Sequence, residues 1–101
     1  MKKLHTPEVD TLFRGILTLK SVEECYSFFE DVCTAKELLD IAQRLRAAKM
    51  LQSGENYLEV SRVTGMSTAT ISRVNKCLTY GEGGYDMVLS RLEALNAESE
   101  E

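Results

Sequence analysis

Five helix-start signals and three glycine stops cut this chain into short pieces of helical period, and that punctuation limits the fold more than any other feature. Thr6-Pro7-Glu8 has the form of an N-cap, a proline at the first helical position and an acid in the first turn. Behind it Val9, Leu12, Phe13, Ile16 and Leu17 recur at helical spacing, which predicts a helix over about 8–19. Ser21-Val22-Glu23-Glu24 and Thr34-Ala35-Lys36-Glu37 are capping boxes, in which the hydroxyl accepts from the amide three residues on and the glutamate reaches back. The first opens a helix over about 22–32, striped by Val22, Cys25, Tyr26, Phe29 and Val32. The second opens one over about 35–53, through Leu38, Ile41, Ala42, Leu45, Ala48 and Leu51 to a stop at Gly54. Asn56 caps a helix of two turns that carries Leu58, Val60 and Val63 to Gly65. Ser67 caps the next, which runs through Ala69, Ile71, Val74 and Leu78 to Tyr80 and closes at Gly81. Gly81-Glu82-Gly83-Gly84 reads as a flexible break before Tyr85, Val88, Leu89, Leu92 and Leu95, a sixth helix, and an acidic tail at 96–101. No period-2 alternation is long enough for a strand, so an all-α fold of six helices in a single domain, 1–101, is expected.

A chain of 101 residues has room for one core, and 44% apolar with 28% charged residues is the make-up of a folded protein. Helical cores this small are often completed by a second copy, so a homodimer is expected. The apolar runs are interrupted by charges, and Met1 to Pro7 has no apolar leader stretch, which points to a cytoplasmic protein with no membrane contact. Cys25, Cys33 and Cys77 are odd in number without C-x-x-C spacing, and the single histidine is His5. Neither a disulfide framework nor a metal site is expected, and the cysteines read as small buried hydrophobes. The net charge of −4 is unevenly placed: residues 34–80 hold seven basic against four acidic side chains, and residues 81–101 one against six. A positive middle in an acidic protein is the asymmetry expected where one surface faces phosphate.

The run from Tyr57 to Val74, inside a region at about 57–80, has the parts of a helix-turn-helix. Ser61 is small where the two helices cross, Gly65 takes positive φ in the turn, and Met66 tucks beneath it. Val60, Ile71 and Val74 fill the space between the helices, leaving Thr68, Ala69, Ser72, Arg73 and Lys76 on the outer face of the second. Hydroxyls and methyls followed by basic groups suit a major groove, the small residues at base edges and the cations at phosphate or guanine. The plainer alternative is a two-helix hairpin without a ligand. Against it, Ser67-Thr68-Ala69-Thr70-Ile71-Ser72 is rich in mediocre helix formers, a composition that favours contact over helix stability.

These same residues resemble the Trp repressor superfamily, and most closely its YerC/YecD-type branch. The resemblance is carried by Gly54-Glu55 and by Gly65-Met66-Ser67-Thr68-Ala69-Thr70-Ile71-Ser72-Arg73, with Leu45-Arg46 upstream and Cys77-Leu78 downstream, and covers about residues 10–95. It implies a six-helix fold in which the N-terminal helices and the last helix of two subunits interlock. It also implies double-stranded DNA as partner, with Thr68, Ala69 and Ser72 at the bases and Ser61, Arg44, Asn75 and Lys76 near the backbone. In the namesake two arginines sandwich the indole of L-tryptophan, and their counterparts here are Arg44 and Arg73. A glycine after the second arginine is Val74 here, and a serine four positions after that arginine is Cys77. The branched side chain of Val74 overpacks the slot by about 1–3 kcal/mol, so no L-tryptophan cofactor is expected. Phosphate contact, or a salt bridge to Glu37 or Asp40, is the plainer role for Arg44 and Arg73 beside a small-ligand pocket.

The function expected is a sequence-specific transcription regulator reading a roughly palindromic site. The alternative is a protein-interaction module docking through the same helix face. No nucleophile with a base and no glycine-rich phosphate loop is present, so an enzyme is not expected.

Overall fold

The computed structural model describes residues 2–99. After a 3-10 turn at Lys2–Leu4 come six helices: α1 (Pro7–Ile16), α2 (Val22–Val32), α3 (Ala35–Gln52), α4 (Tyr57–Thr64), α5 (Thr68–Tyr80) and α6 (Gly84–Ser99). The described residues contain no strand. They divide into two compact units, one ending at Leu38 and the other beginning at Leu39, so the division falls inside α3.

In the first unit the caps form where local chemistry puts them. Thr6 Oγ1 accepts from Val9 N–H at 3.2 Å, with Pro7 at the first position of α1. Helix α1 ends at Ile16, short of residue 19, because Thr18 and Leu19 donate to the carbonyls of Gly15 and Ile16 in tighter turns. The Thr18 hydroxyl also donates to the Gly15 carbonyl at 2.6 Å. At α2 Ser21 Oγ accepts from Glu24 N–H at 3.1 Å, but the Glu24 carboxylate takes Lys20 N–H at 2.8 Å instead of the cap's own amide. The reciprocal box is complete at α3, where Glu37 N–H donates to Thr34 Oγ1 at 3.1 Å and Thr34 N–H to the Glu37 carboxylate at 2.8 Å. Those bonds from Thr34, its backbone N–H foremost, hold the Glu37 carboxyl below its ordinary range. No residue of α1 or α2 is buried, and Leu12, Phe13, Leu17, Val22 and Tyr26 all stand exposed.

The second unit holds the core. Ala47 and Ala48 of α3, Val60 of α4, and Ile71 and Val74 of α5 are buried, with Met50, Leu51, Tyr57 and Met66 packed around them. Ala47 of α3 meets Val60 and Ile71, and these two larger side chains fill the centre of the cluster. Helix α6 packs on α5. Its first turn is tied to the end of α3 by a hydrogen bond from Gln52 Nε2 to the Asp86 carboxylate. It also runs further than its apolar stripe: Asn96 to Ser99, expected in an acidic tail, are helical, because nothing there breaks the helix. The rest of that expected tail, Glu100 and Glu101, lies outside the described residues.

The cysteines do not match the expectation of buried hydrophobes. Cys25 and Cys77 are exposed and Cys33 is half-buried. Cys33 is the C-cap of α2 rather than a helical position, and Cys25 sits on a helix that buries nothing. No helix among the described residues is long and apolar enough to cross a membrane.

Candidate nucleic-acid interface

The joint between α4 and α5 is made by side chains that bond their own backbone. Asn56 Oδ1 accepts from Glu59 N–H at 2.9 Å to start α4, and Ser67 Oγ accepts from Thr70 N–H at 3.2 Å to start α5. Between them Gly65 lies in the left-handed region, φ +73°, and donates to the Ser61 carbonyl at 2.8 Å. Ser61 Oγ donates across the turn to the Met66 carbonyl at 2.8 Å. Thr64 Oγ1 donates to the Val60 carbonyl at 2.7 Å and accepts from Met66 N–H at 3.2 Å. The turn is thus set by the Ser61 and Thr64 hydroxyls and the Gly65 amide before any ligand arrives. Nothing lies within 4 Å of where a Cβ on Gly65 would stand, so Gly65→Ala strains the backbone alone. It is expected to lower unfolding stability by about 1–2 kcal/mol, read from thermal melts followed by circular dichroism.

With Ile71 and Val74 buried beneath α5, the opposite arc is available to a partner. At helical spacing it carries Thr68, Ala69, Ser72, Arg73 and Lys76 in one band, with Asn75 at its edge. Thr68, Ala69, Arg73 and Lys76 are exposed, and Ser72 and Asn75 are half-buried. From Thr68 to Tyr80 the helix has no acidic residue, so neither its positive N-terminal end nor its two cations is offset within the helix. The neighbouring Arg62 differs. Its Nε donates to Glu59 at 3.0 Å, and the pair holds the Glu59 carboxyl below and the Arg62 guanidinium above their ordinary values. Ser61 is half-buried with its one O–H engaged by Met66, while a phosphate oxygen needs a donor.

Arg44 and Arg73 come together. They line a cleft of about 150 Å³ with Thr70, Val74, Cys77 and Tyr85. Burial pushes the Tyr85 phenol pKa up, the neighbouring Cys77 adds to that rise, and the charges of Arg44 and Arg73 offset part of it. Two side chains carry little signal in the sequence: Tyr85 in this cleft and Tyr80 at the end of α5. Tyr85 carries the period of an apolar stripe, and its place in the cleft follows from how α6 packs on α5 after the glycine break, which residue spacing does not announce. Tyr80 reads as the last residue of its helix, where α5 does end, and it is 85% exposed. The step of a helix projects it onto the same arc as Arg73 and Lys76, which was the one signal available. Among the described residues no group of three or more His, Cys, Asp or Glu side chains is placed to hold a metal ion.

Residues 7–93 match the Trp repressor protein family. The chain belongs to the Trp repressor family. Within it, this Trp repressor-family protein is 50% identical over 97 residues to the uncharacterized protein YerC of Bacillus subtilis (strain 168), spanning 96% of this chain and 93% of that one. A crystal structure of a TrpR-like protein from Eubacterium eligens ATCC 27750 superposes with a TM-score of 0.89 at 53% identity, covering 92% of this chain and 96% of that chain. A provisionally assigned Trp repressor from Staphylococcus aureus gives 0.87 at 46% identity, covering 91% and 92%. The resemblance drawn from Gly65 to Arg73 and the six-helix all-α fold it implied both hold for this Trp repressor-family chain.

Proposed function

We propose that this protein is a cytoplasmic, homodimeric transcription regulator in which each protomer lays α5 in the major groove of a roughly palindromic DNA site. The observation that carries the proposal is the acid-free outer arc of α5. At its N-terminal half Thr68, Ala69 and Ser72 offer hydroxyls and a methyl to base edges, the part of a recognition helix that enters the groove. Arg73 and Lys76 follow as cations, with Asn75 and Arg44 beside them, for phosphate or guanine. Membership of a family of regulators rather than enzymes supports the same reading.

The dimer is supported by the first unit. Two amphipathic helices that bury no side chain do not offset their own ordering entropy. A second copy that covers Phe13 and Leu17 supplies the missing core, and with α6 gives the interlocked pair expected for the family. Two α5 helices then fall about one DNA turn apart, ~34 Å.

The test is a fluorescence-anisotropy titration of genomic fragments selected with the purified protein, run against salt and excess unrelated duplex. Competitor-resistant binding is expected. Thr68→Ala and Ser72→Ala should each cost about 1–3 kcal/mol of discrimination and change base preference. Arg73→Ala should weaken binding and flatten its salt dependence. Binding no tighter than to random duplex, by a folded dimer, would transfer the α5 face to a protein partner.

A further inference from the structure

Among the described residues no large apolar side chain is more exposed than Tyr80, at 85%. It is the last residue of α5, and its phenol makes no hydrogen bond or ring contact with any described residue. The hydroxyl of Thr79, one position earlier, is used inside the helix, where it donates to the Asn75 carbonyl at 3.1 Å. A tyrosine ring left in water with an unused O–H is an amphipathic group without its partner.

The position of Tyr80 on α5 points to the chemistry of that partner. At helical spacing Arg73, Lys76 and Tyr80 stand on one arc. Neither cation has an acidic partner among the described residues, and the first acid beyond the helix, Glu82, lies past the C-cap Gly81. All three groups are donors with no acceptor of their own, which suits a line of phosphate oxygens. From Ala69 to Tyr80 the helix advances about 16 Å, whereas the major groove is about 12 Å wide. With Thr68 and Ala69 at base edges, α5 therefore crosses the line of phosphates before it reaches Tyr80. The Cα–Cβ bond of a helical residue tilts toward the helix N-terminus. This tilt directs Tyr80 back toward the turn of Lys76 and away from the last carbonyls of α5, whose partial negative charge repels phosphate.

We propose that Tyr80 is a further DNA contact of the reading helix: its phenol O–H donates to a phosphate oxygen and its ring lies along the adjoining sugar. The proposal rests on the DNA-binding reading above. A neutral donor at this point fixes the register of α5 on the duplex without adding to the salt dependence that Arg73 and Lys76 carry.

The test titrates full-length wild type, Tyr80→Phe and Tyr80→Ala by anisotropy on the selected DNA and on random duplex, across a salt series. Tyr80→Phe, which loses one hydrogen-bond donor, should bind about three- to tenfold more weakly. Tyr80→Ala, which also loses the ring, should bind about ten- to thirtyfold more weakly. For both, log affinity against log salt should run parallel to wild type, because a neutral phenol releases no counterion. The loss should be by the same factor on the two duplexes, because a phosphate contact reads no base. Both variants should melt with the wild type and keep its oligomeric state, since Tyr80 is no part of the core. Tyr80→Phe binding as tightly as wild type overturns the proposal, and so does a changed salt slope or a loss confined to the selected DNA. If Tyr80→Ala unfolds or changes its oligomeric state, Tyr80→Phe, which keeps the ring, decides alone by the same criteria. If wild type binds selected and random duplex equally, the regulator reading fails alone, and Tyr80 is judged on the random duplex by the same factors. Wild type that binds neither duplex overturns both.

Discussion

Ile71→Ala is expected to lower unfolding stability by about 2–5 kcal/mol, the range for truncating a fully enclosed isoleucine. Ile71 has no exposed surface and meets Ala47 and Val60 in the centre of the second unit, with Met66 and Met50 packed against the cluster. The alanines on α3 are already as small as a side chain can be while keeping a Cβ, so the walls have little to collapse with and the cavity stays open. In a domain whose total stability is about 5–15 kcal/mol, that loss is expected to loosen α5 from α4 and to take the proposed DNA binding with it. Thermal denaturation followed by circular dichroism should show a fall in Tm of tens of degrees, ~10–30 °C. Ser72→Ala, the neighbour on the outer arc, should shift stability by no more than about 0.5 kcal/mol while altering the DNA titration. An Ile71→Ala protein that melts with the wild type would show that the core does not run through α5.

Phe13→Glu combined with Leu17→Glu is expected to abolish the proposed dimer. In the chain by itself the two side chains are 56% and 82% exposed, and placing charge on such positions would change stability by only about 0.5 kcal/mol. Where a second copy covers them, each substitution buries an unpaired carboxylate, which costs several kcal/mol, ~2–7 or more. The two cases therefore differ widely in size, and sedimentation across a concentration series separates them. The expected result is a monomer with reduced helicity, because α1 and α2 contain no buried residue of their own. Arg14→Glu, on the same helix, serves as the control and should leave the dimer intact. A double variant that remains a dimer would place the contact elsewhere, and the exposed face of α6 would be next.

The parts of the fold legible in the sequence are the ones decided by groups three or four residues apart. Thr6, Ser21, Thr34, Asn56 and Ser67 all cap as expected, because the accepting oxygen and the amide it meets belong to the same turn of chain. Gly65 is legible for a similar reason, since a sharp joint between two apolar-striped helices needs a residue free of the left-handed penalty. Helix ends were less legible. At α1 the balance between one more helical bond and the tighter turns at Thr18 and Leu19 is a fraction of a hydrogen bond, and no residue type announces which wins. The stripe pattern likewise cannot tell an apolar face that is covered within the chain from one left for a partner, which is why Cys25 and Tyr26 look buried in the sequence and stand exposed.

The number and order of the helices, the tight turn at Gly65 between α4 and α5 and the family were all written in the sequence, because each depends on local spacing and on a short run from Gly65 to Arg73. Only the tertiary structure decided that Ser61 uses its hydroxyl inside the turn and that Tyr85 lines a cleft with Arg44 and Arg73. Those outcomes depend on how far each helix rotates about its axis and on a chain reversal between α5 and α6. Burial of Val60, Ile71 and Val74 sets that rotation, and it is a property of the packed unit rather than of any one segment.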